Sequence, residues 1–341
     1  MPPKVRALIG ILISAAVIWW LVAKSGIDWK AAWVYMRDAN KPLLVLATIV
    51  ANTMFPLRAR RWRPILAAVK ANIPFGPLWR STAIGMMANT LLPFRMGEIA
   101  RALALSREEP DVPIPASVAS LFVDRIFDAL VVVLLLVIAL LLPDVPPDAT
   151  IGGKSIASLA VFPAVGAVGG LVALYALAVY PIPAIRISTA AATKFGERFA
   201  FTVEHIVRKF TDGLGALRTP RRFGEVFLWT VLHWLAQPLA FWIGFKAFGI
   251  PAPFAAALIA QFAIVVAVAL PSVPGYVGLY EIGAAAALLL FGVENSRAIA
   301  WAATLHAVTL LPITLIGLFY LNRVGLRMSD LRDRQPGVVS D

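Results

Sequence analysis

The sequence has no cysteine and only three histidines, His205, His233 and His306. Without a thiol there is no disulfide framework, no thiolate metal site and no cysteine nucleophile. The histidines lie far apart with no HxxxH-type spacing, so neither a metal nor a cofactor is expected. Charge is scarce: 15% of the 341 residues are Asp, Glu, Lys or Arg, and only 19 of them are acidic. A phosphate-binding loop is missing too. The nearest approach, Gly152-Gly153-Lys154-Ser155, has Asp148 where the first glycine belongs and reads as chance, so direct use of ATP is not expected.

What the chain has in abundance is apolar side chain, 60% of residues, with a mean hydropathy of +0.81. Soluble domains carry roughly 45–50%, and a water-soluble fold has nowhere to hide the excess. The net charge of +12 is not gathered on a stripe as nucleic-acid binding requires. It falls in the gaps between apolar runs, where membrane proteins meet anionic headgroups. The class expected is an all-α integral membrane protein, with membrane lipids as partners and no nucleic acid.

A hydrocarbon core of about 30 Å needs roughly 20 apolar residues of helix. Six runs meet or approach that length: residues 5–23, 42–57, 121–142, 156–180, 223–248 and 298–321. The first resembles a signal peptide, but its apolar stretch exceeds the roughly 7–15 residues of such segments, and an uncleaved anchor is expected. The second is short, with Asn40 as its cap, Pro42 in its first turn and arginines snorkelling from its far end. Placing both termini in the cytoplasm of a bacterial inner membrane puts the basic clusters at 58–63, 101–107 and 186–222 on that side. Only Lys24, Lys30, Arg37, Lys41, Lys154, Lys246 and Arg297 fall outside, as the positive-inside rule prefers. Residues 186–218 are amphipathic, with Phe195, Phe199, Val203, Ile206 and Phe210 at helical spacing. A helix in the cytoplasmic headgroup plane and a cytoplasmic helix packed on the protein both fit.

Two further apolar stretches, about 81–105 and 254–292, are interrupted at their centres. Each reads as a helix, a Leu-Pro, a glycine-bearing break, a glutamate and a second helix. Proline removes a backbone donor, and lipid cannot satisfy the amides and carbonyls that the break frees, so both breaks are expected to face protein or water. With the orientation above they form opposed re-entrant hairpins, one from each face, which points to an inverted-repeat transporter with its site near the midplane. Proline-kinked ordinary spans are the alternative.

The charges fit an inward-facing site, because a charged side chain at bilayer centre costs about 2.5–3.5 kcal/mol on insertion scales. Arg95, Glu98 and Arg101 belong to the first break. Glu98 falls in a first helical turn, where an anion is favoured, with Arg101 at i+3 to pair with it. Asp124, Arg125 and Asp128 open the next span, and the two aspartates share one helix face and need a cation, for which Arg95 and Arg101 are the candidates. A buried ionic lock between helices and direct substrate contact are both compatible with this pattern. His233 and His306 lie within spans, where either a helix–helix hydrogen bond or a proton relay is open to them.

Three motifs in order, NTLLPFRMGEIAR (89–101), VDRIFD (123–128) and LPSVPGYVGLYE (270–281), resemble the lysylphosphatidylglycerol synthase transmembrane family, also called the flippase-like domain family. The resemblance covers nearly the whole chain. It departs at Phe94 and Met96, often small in the family, at Tyr276, where a second glycine is common, and at Asp124, commonly glutamate. It implies one flippase-like domain over 1–324, a polar tail over 325–341 and no soluble aminoacyl-transferase domain. The implied function is movement of an anionic or phosphate-bearing lipid between leaflets. Arg95 and Arg101 would hold the headgroup. Glu98 and Glu281 would orient them or take a proton, and Asn89, Tyr276, Asp124, Arg125 and Asp128 would line the path. Gly97, Gly275 and Gly278 would allow close backbone approach. A lipid-modifying enzyme using these carboxylates as acid or base, and a scaffold with no transport, are the competing readings. A transporter is expected rather than an enzyme, with a homo-oligomer and a separate lipid-synthesising enzyme as partners the sequence allows.

Overall fold

The computed structural model describes residues 28–92, 96–145, 150–151, 154–213, 217–269 and 274–332. The apolar run at 5–23, Arg95 and the Leu-Pro at 270–271 lie outside the described residues. Apart from a two-residue antiparallel pair, Thr150–Ile151 with Lys154–Ser155, the described chain is helical where it is regular.

Among the described residues three helices are both long and apolar enough to cross a membrane: α2 (Lys41–Leu66), α9 (Pro220–Ala247) and α12 (Asn295–Arg323), in the numbering that begins with α1 (Trp29–Asp38). At about 1.5 Å per residue each spans roughly 40 Å. Their starts are encoded locally. The Asp28 carboxylate accepts from the Lys30 and Ala31 amides of α1, and the Asn40 side chain accepts from Leu43 with Pro42 in the first turn. Thr219 caps α9 just before Pro220.

Their mutual register follows from contacts at the ends and the middle. The Asn40 amide donates to the Ala247 carbonyl at 2.9 Å, the Asp28 amide to Ser296 Oγ at 3.1 Å, and Arg297 to the Gly249 carbonyl at 3.2 Å. The start of α2, the end of α9 and the start of α12 therefore share one end of the bundle, here the first end. Near their midpoints His233 Nδ1 lies 2.9 Å from the Met54 carbonyl, and Asn52 donates to the Val308 carbonyl at 3.3 Å. Leu66, Pro220 and Arg323 then mark the second end, which carries most of the arginines.

The two interrupted stretches fold as helical hairpins. The first is α3 (Phe75–Leu91) with α4 (Gly97–Glu108). Its base lies at the second end, where Arg80 pairs with Glu108 and Lys70 meets Glu109 and Asp111 at 2.8 Å. The second, α10 (Phe254–Ala269) with α11 (Leu279–Leu289), has its base at the first end, next to Gly249 and Glu294. Their helices, of 11 to 17 residues, are too short to cross alone. Close antiparallel contact needs glycine: a Cβ at Gly97 would strike the Gly85 carbonyl, and one at Gly283 would lie 2.9 Å from the Ala263 carbonyl. Gly275, in the 3-10 turn Pro274–Tyr276, sits beside Thr90 at the end of α3 and beside Leu310 at the middle of α12. The described ends of the two hairpins thus adjoin near the level where the long helices have their midpoints.

α5 (Ile114–Leu140) has the length of a span but carries Asp124, Arg125 and Asp128, so it is not plainly apolar. α6 (Ile156–Val179) occupies the expected fourth run, and its second half makes an angle of 105° with α7 (Pro181–Ala192) across Tyr180. α8 (Glu197–Gly213) supplies the amphipathic helix; Phe195 and Phe199 stand exposed at its start. The last element is α13 (Met328–Arg332). The largest apolar core lies between α9, α10, α11 and α12 around Phe241, Phe245 and Trp301, all fully buried.

One expectation needs correction. Arg58 and Arg61 do not belong to a snorkelling fringe beyond a short span, although Arg60 between them is exposed. α2 continues to Leu66, Arg61 is completely buried and Arg58 is buried beside it. Carboxylates of α5 meet these arginines inside the bundle, which removes the reason to reach for water.

Candidate functional site

α5 presents Asp124 and Asp128 one turn apart, and α2 presents Arg58 and Arg61 at matching spacing. Arg61 bridges both aspartates, at 2.5 Å to Asp124 and 2.6 Å to Asp128. Arg58 stands further off, at 3.5 and 3.8 Å. Trp234 of α9 donates its indole N–H to Asp128 at 2.6 Å, which ties the cluster to the middle of that helix. Two like charges on one helix face would repel, and the cation that the sequence demands is mainly Arg61.

The first hairpin adds the rest. Arg101 of α4 reaches Asp124 at 3.4 Å and lies 3.9 Å over the ring of Trp62. It is 4% exposed, yet its Nε and Nη2 have no hydrogen-bond partner among the described residues. The expected Glu98–Arg101 pair within α4 is replaced by a contact between helices: Glu98 meets Arg125 at 2.5 Å, and Arg125 also approaches Asp128 at 3.7 Å. Arg101 is directed across to α5 by the close packing of α4 on α3, where Gly85 leaves room for its stem. Four guanidinium groups, Arg58, Arg61, Arg101 and Arg125, face three carboxylates, so the cluster carries an excess of positive charge. Glu98 and Arg125, each with a side chain 43% exposed, form its open side.

The breaks are stitched in parallel ways. Asn89 accepts from the Gly97 amide at 2.9 Å, and Glu281 accepts from the Gly278 amide at 2.6 Å. In each hairpin a polar side chain thus satisfies the amide of a glycine at the start of its second helix. Gly275 (φ 74°) and Gly278 (φ 88°) adopt conformations that favour glycine, and Tyr276 holds φ 60° between them, strained for a residue with a Cβ.

Glu281 does not turn to an arginine. Its other oxygen meets His306 Nδ1 of α12 at 2.6 Å, and Tyr280 stacks on the His306 ring at 4.0 Å. The helix–helix bonds open to His233 and His306 are both present. The residues expected to act together therefore form two groups. Glu98, Arg101, Asp124, Arg125 and Asp128 gather with Arg58 and Arg61. Gly275, Tyr276, Gly278 and Glu281 gather with His306. The groups adjoin where Gly275 lies beside Thr90, next to Asn89. Among the described residues no group of three or more histidines and acids is placed to hold a metal.

The sequence model described as "Lysylphosphatidylglycerol synthase TM region" matches residues 7–317. Over 303 residues the chain is 28% identical to "Glycosyltransferase AglD" of Haloferax volcanii, covering 80% of this chain and 47% of that protein, so the chain spans about half the length of this relative. It is 22% identical over 305 residues to a UPF0104 membrane protein of Pyrococcus horikoshii, covering 86% and 88% of the two chains. A UPF0104 membrane protein of Methanothermobacter thermautotrophicus is 24% identical over 331 residues, covering 92% and 91%. No solved structure matches.

Proposed function

Because the chain belongs to the lysylphosphatidylglycerol synthase transmembrane family and is a multi-pass membrane protein, we propose that it moves an anionic or phosphate-bearing lipid between leaflets. The observation that carries this reading is Arg101. A buried guanidinium whose Nε–Nη2 edge has no partner among the described residues costs free energy unless it meets an acceptor, and that edge is the fork that binds phosphate oxygens in pairs. Trp62 holds the guanidinium plane, and Glu98 with Arg125 marks the approach. Arg95 shares the role by its place in the motif alone.

The paired hairpins supply the path. As re-entrant segments their short helices leave unwound backbone at mid-depth, where only protein or water can satisfy it. On this reading the basic second end faces the cytoplasm of the inner membrane, as the positive-inside rule favours, and the exposed Phe195 and Phe199 support a position for α8 in the cytoplasmic headgroup layer. On this reading the chain is a transporter and not an enzyme. The name of the Haloferax relative favours one elaboration, a lipid supplied by a separate enzyme that builds it.

Purified protein in vesicles with fluorescent phospholipids tests the proposal. Phosphatidylglycerol analogues should cross at least tenfold faster than in empty vesicles, and R101Q should remove most of that gain while D111N keeps it. If no headgroup crosses faster than in empty vesicles, the reading is wrong.

A further inference from the structure

The Glu281–His306 contact is not needed to hold a headgroup, and its setting is unusual. It joins the second hairpin to a full span within two turns of the tip contact at Gly275. One Glu281 oxygen faces His306 and the other holds the Gly278 amide, so a single carboxylate connects an ionisable ring to the unwound backbone. His306 is 5% exposed. Among the described residues the groups facing the pair are few. Tyr280 lies on its own helix, stacked on His306, and Tyr276 belongs to the adjoining turn. α9 brings Gln237 towards the Tyr280 hydroxyl, with His233 a turn away on the Met54 carbonyl. α10 carries no ionisable side chain, and its polar residue is Gln261.

We propose that Glu281 and His306 form a proton-binding site that sets the position of the second hairpin tip and couples lipid movement to a proton gradient. It rests on the translocation reading above. With His306 neutral, its Nδ1–H donates to the carboxylate and the pair carries one negative charge. Uptake of one proton at Nε2 gives imidazolium against carboxylate, with no net charge. The two states differ by one unit of charge beside a carboxylate that also holds the hairpin backbone. The proton changes how firmly Glu281 retains the Gly278 amide, and the tip at Gly275 moves with it against Thr90.

Two measurements on full-length reconstituted protein test this. Val277, 54% exposed beside the tip, is replaced by cysteine in a chain that has no other. Its labelling by a small hydrophilic thiol reagent is followed from pH 5.5 to 8.0 and corrected by the rate at Asp111→Cys in a surface loop. The corrected rate should change at least fivefold in the parent and become flat in H306Q and E281Q. A melting curve confirms that each variant is folded. If the corrected rate is constant in the parent, or equally pH-dependent in folded H306Q, the proposal is overturned whatever the vesicles do. Phosphatidylglycerol movement is then compared with and without a two-unit pH gradient. A severalfold change that reverses with the gradient and disappears with a protonophore supports coupling, and movement indifferent to the gradient overturns it. A pH-sensitive tip in vesicles where no lipid crosses sinks the translocation reading and keeps the proton site.

Discussion

Replacing Arg61 with glutamine tests the ionic cluster most severely. Arg61 is fully buried and is the nearest cation to both Asp124 and Asp128, at 2.5 and 2.6 Å. The cations left behind stand at 3.4 Å or more: Arg101 and Arg58 from Asp124, Arg125 and Arg58 from Asp128. Removing one partner of a buried pair costs about 3–5 kcal/mol. The surviving cations offset part of that, so the lower limit, about 3 kcal/mol, is expected. At about 2.1 cal/mol/K of unfolding entropy per residue, a 341-residue chain loses roughly 1.4 °C per kcal/mol, so the melting temperature falls by about 4 °C. Intrinsic fluorescence in detergent reads it directly, since Trp62 and Trp234 both touch the cluster. Removing one orphaned charge as well should return part of the loss, so R61Q/D128N should melt above R61Q. An R61Q melting temperature within about 2 °C of the parent refutes the reasoning, as does a double variant no better than the single one.

Gly97→Leu should prevent accumulation of folded protein, since a side chain there meets the Gly85 carbonyl and Asn89, whereas Gly224→Ala, with open space around it, should be neutral. Trp62→Ala should lower melting and also weaken R101-dependent lipid movement, because the guanidinium at 3.9 Å loses its stacking surface, worth about 0.5–2 kcal/mol. Single cysteines at Asp111 and Gly292, at the bases of the two hairpins, should react with impermeant reagents from opposite faces of the membrane, Asp111 from the cytoplasm; reaction from the same face would contradict the opposed arrangement.

Much of this fold was legible because a bilayer simplifies the rules. A helix must be long and apolar, and broken helices must be sheltered, so Leu-Pro followed by glycine marks both interruptions. Asn40 and Pro42 announced the start of α2. What the chain concealed was partnership across helices. Arg58 and Arg61 looked like a cytoplasmic fringe, because a cluster of arginines after an apolar run ordinarily snorkels. Their i, i+3 spacing beside the i, i+4 aspartates of α5 was the available clue, and spacing within one helix cannot say which other helix it faces. Glu98 and Arg101 misled for the same reason. A favourable intrahelical pair is worth a few tenths of a kcal/mol, less than either gains from α5. Glu281 went to His306 because the next helix, α12, folds back against α11, which spacing within α11 alone does not reveal.

Movement of a polar headgroup past the hairpins requires water at their tips inside the membrane. In the reconstituted protein, cysteines at Thr90 and Val277, beside the two breaks, should be modified by a small hydrophilic thiol reagent far faster than one at Leu315, which is 65% exposed on the outer face of α12 and would meet lipid. Thr90→Cys and Val277→Cys as inert as Leu315→Cys would contradict it, leaving hairpins packed in a dry helical bundle.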